Sequence, residues 1–472
     1  MEAIELNAPA GAPSVRVAHA GHADPLAMRL GSAQFRHDYG LTYAYLSGAM
    51  YRGIASKEMV VAMGRAGLLG MLGTGGMGLD QIRADIRFIQ DQLHPLQAYG
   101  TNLIAQVADD ALERATVALY LELGVHAIEA SAFMQVTPAL VHYWLQGLSA
   151  GPDGAVVCRI KIVVKLSRPE VAQAFMQPAP ERMVARLLAE GAVTEQQAHL
   201  ARGVPMASDI CVEADSGGHT DQGVALVLLS AIQRLRGELG LDARRLRIGL
   251  AGGIGTPEAV AAAFIMGADF VLTGSINQCT VEAGTNDAVK DLLQQIDIQD
   301  IAYAPAGDMF EMGARVQVLR KGVFFPARAN RLFMLYNQYE ALDELPPALR
   351  AQLEEKYFRK PLDAVWSETC TFLAARGRQD DIDKASANPK HKMALVFRWY
   401  FGHSMRAAIN GDTANRVDYQ IHTGPALGAF NRYVKGTALE DWRQRHADRI
   451  GCQPMTDAAA LMLQRLSALA AH

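Results

Sequence analysis

The sequence predicts an α/β fold, a (β/α)8 TIM barrel with an inserted cap segment and a helical C-terminal accessory domain. Three observations predict it. Short apolar segments alternate with longer stretches of helical period between residues 43 and 278. The last two apolar segments each open into glycine. The sixth ends in Gly217-Gly218-His219.

The eight strand candidates are residues 43–50, 68–74, 96–105, 127–132, 161–167, 209–214, 247–251 and 270–273. Several are nearly continuous apolar runs, as strands covered on both faces must be. Helices are expected between them at 56–65, 78–92, 111–123, 138–145, 181–202, 223–239 and 256–266. Eight parallel strands with intervening helices match a barrel. A doubly wound open sheet is the alternative, and the placement of the motifs at strand ends favours the barrel.

One connection is too long for a simple strand-to-helix unit. Residues 168–208 contain Phe175-Met176-Gln177-Pro178-Ala179-Pro180 and a long helical stretch, and read as an insertion such as a cap over the mouth. After Asn286 the alternation stops. Residues 317–472 look helical, with breaks at Pro346-Pro347, Asn388-Pro389, Gly411 and Gly424-Pro425. Trp366, Trp399 and Trp442, three of the four tryptophans, supply an aromatic core there. The expected division is therefore an N-terminal arm over 1–40, a barrel over 41–316 and an accessory domain over 317–472. The arm is rich in Ala, Gly and Pro, lacks a leader pattern and reads as partly disordered.

Composition narrows the function classes. The 472 residues are 50% hydrophobic and carry 45 basic against 49 acidic side chains, which argues against a general nucleic-acid binder. No charge-free apolar run of about 18 residues occurs, so no membrane span is expected. Cys158, Cys211, Cys279, Cys370 and Cys452 are scattered without a C-x-x-C pair. That fits a cytoplasmic protein and opposes a zinc or iron–sulfur site.

The chemistry begins at the strand ends. Strand seven runs into Ala251-Gly252-Gly253-Ile254-Gly255, and Thr256-Pro257 then starts a helix. Strand eight ends in Thr273-Gly274-Ser275. Glycine lets backbone N–H groups approach an anion closely, and a helix N-terminus adds partial positive charge. Loops after strands seven and eight of TIM barrels often bind phosphate. Gly252, Gly253, Gly274 and Ser275 are thus the expected phosphate grip. Tight turning alone is the bland reading, and two such motifs together favour the grip.

Strand six leads into Glu213-Ala214-Asp215-Ser216-Gly217-Gly218-His219-Thr220-Asp221. A histidine after two glycines at a strand's C-terminal end points to the mouth, where it can move a proton near neutral pH. Glu213 reads as structural, and Asp215 and Asp221 as supporting groups.

These runs, in this order and spacing, resemble the FMN-dependent enoyl-ACP reductase and nitronate monooxygenase superfamily over residues 40–280. Lys161-Ile-Val-Val-Lys-Leu-Ser-Arg168, the Phe175–Pro180 run, the Glu213–Asp221 run and the long helical extension are closer still to one branch. That branch is the trans-acting enoyl reductases of polyketide and polyunsaturated fatty acid synthases. The resemblance implies FMN as cofactor and NADPH or NADH as reductant. It implies that Gly48, Ala49 and Met50 meet the flavin ring, with Gly75, Asn102 and Gly218 nearby. Lys165 matches a lysine beside the flavin N1/O2 edge, and His219 the active-site histidine, making these two the catalytic candidates.

The implied reaction is reduction of the α,β-double bond of an enoyl thioester on an acyl carrier protein. A nitronate monooxygenase-like flavin oxidase, a non-catalytic scaffold protein and a flavin-free phosphosugar or nucleotide barrel remain as alternatives. Residues 331–472 hold 19 basic and 16 acidic side chains. Lys384, Lys390, Lys392, Arg398 and Arg406 follow one another with no intervening acid, so they are expected to steer an acidic carrier protein. A solvated helix face is the bland alternative. Oligomeric state is left open, a homodimer included.

Overall fold

A computed structural model describes residues 23–106 and 110–471. Eight parallel strands close into a barrel: β1 (Tyr45–Ser47), β2 (Leu69–Leu72), β3 (Gly100–Ile104), β4 (Ala127–Ser131), β5 (Lys161–Leu166), β6 (Asp209–Glu213), β7 (Arg247–Ala251) and β8 (Val271–Thr273). Neighbours in sequence are neighbours in the barrel, and β1 closes it on β8, with Tyr45 opposite Val271. Most strands are shorter than expected, while β7 has its expected bounds. The third begins at Gly100 rather than residue 96, because Pro95 and Leu96 form a turn in which Leu96 is exposed.

The barrel interior is filled from β1, β2, β6, β7 and β8 by Leu46, Leu69, Met71, Cys211, Ala251 and Leu272. Its lower end is closed by a segment expected to be part of a loose arm. Residues 1–22 lie outside the described part of the chain. Helix Ala33–Tyr39 is capped by Ser32, whose hydroxyl accepts the Phe35 N–H, and ends at Gly40 with φ 67°. It stacks Phe35 on Phe270 at 4.5 Å. Arg247, 1% exposed, bonds Asp209 at 2.6 Å and also Asp38, while the Tyr39 hydroxyl donates to Asp209 at 2.7 Å. A buried guanidinium needs such partners, and they come from this helix and β6.

The inserted segment 168–208 holds helices Pro169–Met176, Glu181–Ala189 and Glu195–Leu200. The single helix expected over 181–202 breaks at Gly191, which has φ 69°. Phe175 and Met176 join the main core, and the segment packs against helices Pro138–Leu145 and Ala225–Glu238.

The chain beyond the barrel contains a hairpin absent from the sequence reading, β9 (Ile301–Pro305) paired with β10 (Arg315–Leu319). The expected boundary at 316/317 cuts through β10. Helices Phe325–Gln338, Leu362–Ala374 and Pro389–Asn410 form a lobe around Phe310, Phe325, Phe397, Tyr400 and Phe401. The last helix, Ala447–Ala470, leaves this lobe and returns to the barrel. It lies against helix Pro257–Ile265 and buries Met455, Ala458 and Ala459 in the main core. No helix among the described residues is long and apolar enough to cross a membrane.

Candidate functional site

The C-terminal ends of the barrel strands bring most of the expected site residues to one mouth. The turn after β1 carries Gly48, Ala49 and Met50, and Gly48 N–H donates to the Thr273 carbonyl at 2.9 Å. The next residues tie this turn to the loop after β2: Arg52 N–H donates to the Gly75 carbonyl and Gly53 N–H to the Gly73 carbonyl, each at 2.8 Å. Asn102 on β3 is buried, and its amide donates to the Glu129 carbonyl at 2.8 Å and to Ser131 Oγ at 3.0 Å.

Lys165 on β5 has two acidic partners. Its Nζ lies 3.1 Å from Glu213 Oε1 and 3.4 Å from Glu129 Oε1. The second Glu129 oxygen accepts the Ala49 N–H at 3.0 Å. Burial alone favours the neutral amine, but Glu213 and then Glu129 outweigh it and hold the Lys165 ammonium above the usual lysine range. Burial pushes the Glu129 carboxyl up, against the opposing pull of Lys165 and the Ala49 N–H. Lys165 is therefore a fixed cation, not a titrating one. Glu129 was missed in the sequence, where it interrupts an apolar strand. A charged residue in a strand covered on both faces is the signal that marks it. Glu213 was read as structural, yet it is one of the two groups holding Lys165.

Gly218 and His219 lie on an exposed loop after β6. A Cβ on Gly218 would stand 3.3 Å from Glu213 Oε1, so the loop approaches the lysine cluster. His219 Nε2 lies 3.0 Å from Asp308 Oδ1, on the connection after β9. The Asp308 hydrogen bond raises the imidazole above its ordinary range, with burial opposing. Asp308, too, was absent from the sequence reading, because 89 residues separate it from its partner. Of the supporting acids, Asp215 accepts from Gln317 at 2.7 Å and from Tyr303, while Asp221 accepts from Arg168 at 2.7 Å. Both brace the loop.

The phosphate side comes from β7 and β8. Gly252 has φ 86°, and a Cβ there would stand 2.5 Å from the Ala214 carbonyl oxygen, so glycine is required. Gly253 and Gly274 have no neighbouring atom within 4 Å of an added Cβ. They line open space, as a cradle for a ligand would. Helix Pro257–Ile265 starts beside it, capped by Thr256, whose hydroxyl accepts the Ala259 N–H. Ser275 Oγ accepts the Gly424 N–H at 3.0 Å, and Gly217 packs on Thr423, so the C-terminal region borders the cradle. Gln317 Oε1 and Thr423 Oγ1 are buried with no hydrogen-bond partner. The fit to a phosphate-bearing cofactor is good. Among the described residues, no group of His, Cys, Asp and Glu is arranged to hold a metal ion.

The expected basic patch survives only in part. Lys390 donates to the Tyr336 and Tyr339 carbonyls, the latter at 2.6 Å, and Lys392 sits 5.4 Å from the Trp366 ring centre. Arg398 lies 3.5 Å from Glu311. Lys384 and Arg406 remain exposed.

The sequence profile of nitronate monooxygenase matches residues 38–322, and that of acyl-carrier-protein S-malonyltransferase, inserted helical domain, matches residues 339–419. The chain is 54% identical over 443 residues to the polyketide biosynthesis protein PksE of Bacillus subtilis, covering 93% of this chain and 57% of that protein. It is 45% identical over 418 residues to a polyunsaturated fatty acid synthase polypeptide of Thraustochytrium sp., covering 87% of this chain and 28% of that one. The chain thus spans just over half of the first relative and under a third of the second. Among solved structures, the enoyl reductase domain of MlnA, from the macrolactin biosynthesis cluster of Bacillus amyloliquefaciens, superposes with a TM-score of 0.88 at 42% identity. That match covers 93% of this chain and 99% of the other. FabK of Thermotoga maritima, at 16% identity and a TM-score of 0.56, shares the fold.

Proposed function

The chain belongs to the nitronate monooxygenase family of flavin-dependent oxidoreductases, and we propose that it is an FMN-dependent enoyl reductase acting on enoyl thioesters carried by an acyl carrier protein, with NADPH or NADH as reductant. One observation carries this reading. The likeness to an enoyl reductase domain extends over 93% of the chain at 42% identity, so it includes the helical lobe beside the mouth as well as the barrel.

In this reading Gly252, Gly253, Gly274 and Ser275 hold the FMN phosphate through backbone N–H groups and the helix N-terminus. Gly48, Ala49, Met50, Gly75, Asn102, Gly218 and Lys165 would line the space for the ring. FMN, when bound, supplies hydride transfer from the reductant to the β-carbon. The protein's own residues do the rest. The Asp308 hydrogen bond raises the His219 pKa and so favours the imidazolium, the form that would give a proton to the α-carbon. Backbone N–H groups at the mouth, or His219, would polarise the thioester carbonyl as charge grows on its oxygen.

The carrier-protein partner is supported by the seam between barrel and lobe. Exposed Arg52, Arg376 and Arg406 make no salt bridge with any described residue, and Arg406 lies within electrostatic reach of the other two. The lobe meets the segment after β8 closely: a Cβ on Gly411 would stand 2.4 Å from Asn286. Three exposed cations without salt bridges to described residues suit a phosphate-bearing acidic partner.

The test is an anaerobic titration of the purified chain. A flavin spectrum that NADPH or NADH bleaches, and that an enoyl thioester on a carrier protein restores, is expected. A bleached flavin that only O2 restores would move the chain to the oxidases, and failure to bind FMN would make it a scaffold.

A further inference from the structure

A lysine beside the flavin is expected to present net positive charge to it. The structure has a different balance. Lys165 stands between two carboxylates, Glu213 at 3.1 Å and Glu129 at 3.4 Å, so one positive charge meets two acidic groups. Glu129 is fully buried and does not touch solvent. It also takes the N–H of Ala49, so one carboxylate joins the β1 turn to the β5 lysine. Asn102 fixes the same stretch by bonding the Glu129 carbonyl and Ser131 Oγ.

A brace between Ala49 and Lys165 needs only a hydrogen-bond acceptor. A neutral amide would serve at less desolvation cost than a fully buried carboxylate. The charge therefore has a use that geometry alone does not explain. Charges in a dry site interact strongly and respond little to salt.

We infer that Glu129 is a positioning residue that lowers the reduction potential of the flavin by offsetting the positive charge of Lys165. The inference rests on the reading above, which puts FMN against Ala49 and Lys165. A flavin that accepts hydride gains electron density. A nearby anion disfavours that gain, and a nearby cation favours it. Glu129 cancels much of what Lys165 would contribute. The reduced flavin is then a stronger hydride donor to an enoyl thioester. Glu213 acts in the same direction from the solvent side, where 16% side-chain exposure weakens its effect.

The experiment measures FMN midpoint potentials by anaerobic dye equilibration, together with dissociation constants for oxidised FMN. Glu129→Gln keeps an oxygen acceptor for the Ala49 N–H. It is expected to bind reduced over oxidised FMN about tenfold more favourably than the parent, seen as a more positive potential. Glu213→Gln should move the potential the same way by less, and Lys165→Gln the opposite way. An unchanged or more negative potential in FMN-loaded Glu129→Gln overturns the inference. Should that variant not hold FMN, an unmoved potential in Glu213→Gln overturns it equally. Failure of the parent chain to bind FMN defeats the underlying reading instead, so the two failures are distinct.

Discussion

His219 and Asp308 form a hydrogen-bonded pair that joins the loop after β6 to the connection after β9, with Nε2 3.0 Å from Oδ1. The pair brings a segment outside the barrel strands into the chemistry of the mouth. The Asp308 hydrogen bond raises the His219 pKa, with burial opposing. Its contribution to stability is full in mildly acidic solution, below the unfolded imidazole value of about 6.5. It is lost as pH rises through the higher folded value, when the imidazole gives up its proton. Asp308→Asn should therefore move the basic limb of the kcat/KM profile to lower pH. It should also remove the part of the Tm that falls away across that limb. His219→Ala should lower kcat/KM about 100-fold or more if the imidazolium delivers the proton. A basic limb that stays in place in Asp308→Asn would separate the pair from catalysis.

The two glycine turns predict different kinds of damage. Gly252→Ala puts a methyl group 2.5 Å from the Ala214 carbonyl at φ 86°, so it should lower the stability of the protein even without FMN, by roughly 1–3 kcal/mol. Gly274→Ala meets no neighbour within 4 Å. It should leave the Tm of the FMN-free protein nearly unchanged and weaken FMN binding at least about tenfold, since the methyl group enters only the ligand's space. Thermal scans with and without FMN, beside a fluorescence titration, separate the cases. Undiminished FMN affinity in Gly274→Ala would show that the cradle is not the phosphate site.

Lys165→Met removes the cation from between Glu129 and Glu213. A buried carboxylate left without its partner typically costs about 3–5 kcal/mol. The variant should melt early, and the double variant Lys165→Met/Glu129→Gln should recover much of that loss. Urea unfolding of the two variants and the single Glu129→Gln completes a double-mutant cycle. A coupling near zero would mean that the pair is not energetically joined.

The barrel and its glycine-rich ends were legible because near-continuous apolar runs between stretches of helical period, glycine turns and a Pro at the first helical turn are local signals. Gly252 and Gly274 could be picked out in this way, and Lys165 only through the family resemblance. Glu129 carries a local mark, a charge in an apolar strand, but its role could not be read, because it depends on Lys165 in the neighbouring strand and on Ala49 across the barrel. Nor could Asp308, whose partner is 89 residues distant. Helix Ala33–Tyr39 looked like part of a loose arm, since its reason to order is a tertiary one. Arg247, buried at the foot of β7, needs Asp38 and the shared Asp209. One lysine of the expected docking patch is drawn away for the same reason. Lys390 is consumed by two backbone carbonyls that sequence spacing does not place beside it.

That difference gives a prediction for the carrier surface. Arg52, Arg376 and Arg406 are exposed and without salt bridges to described residues, and Arg52 and Arg376 act electrostatically on Arg406. Reversing any one to Glu should raise KM for a carrier-bound enoyl thioester, about tenfold for the strongest, and leave KM for a short free thioester unchanged. The difference should shrink as salt is added, since exposed charges are screened within about 10 Å at 0.1 M. Lys390→Glu should behave otherwise. It breaks the bonds to the Tyr336 and Tyr339 carbonyls, so it should lower Tm and affect both substrates alike. Lys384, exposed and distant from those carbonyls, serves as the control for added negative charge alone. Equal effects of the arginine reversals on carrier-bound and free thioesters would place these cations outside carrier recognition.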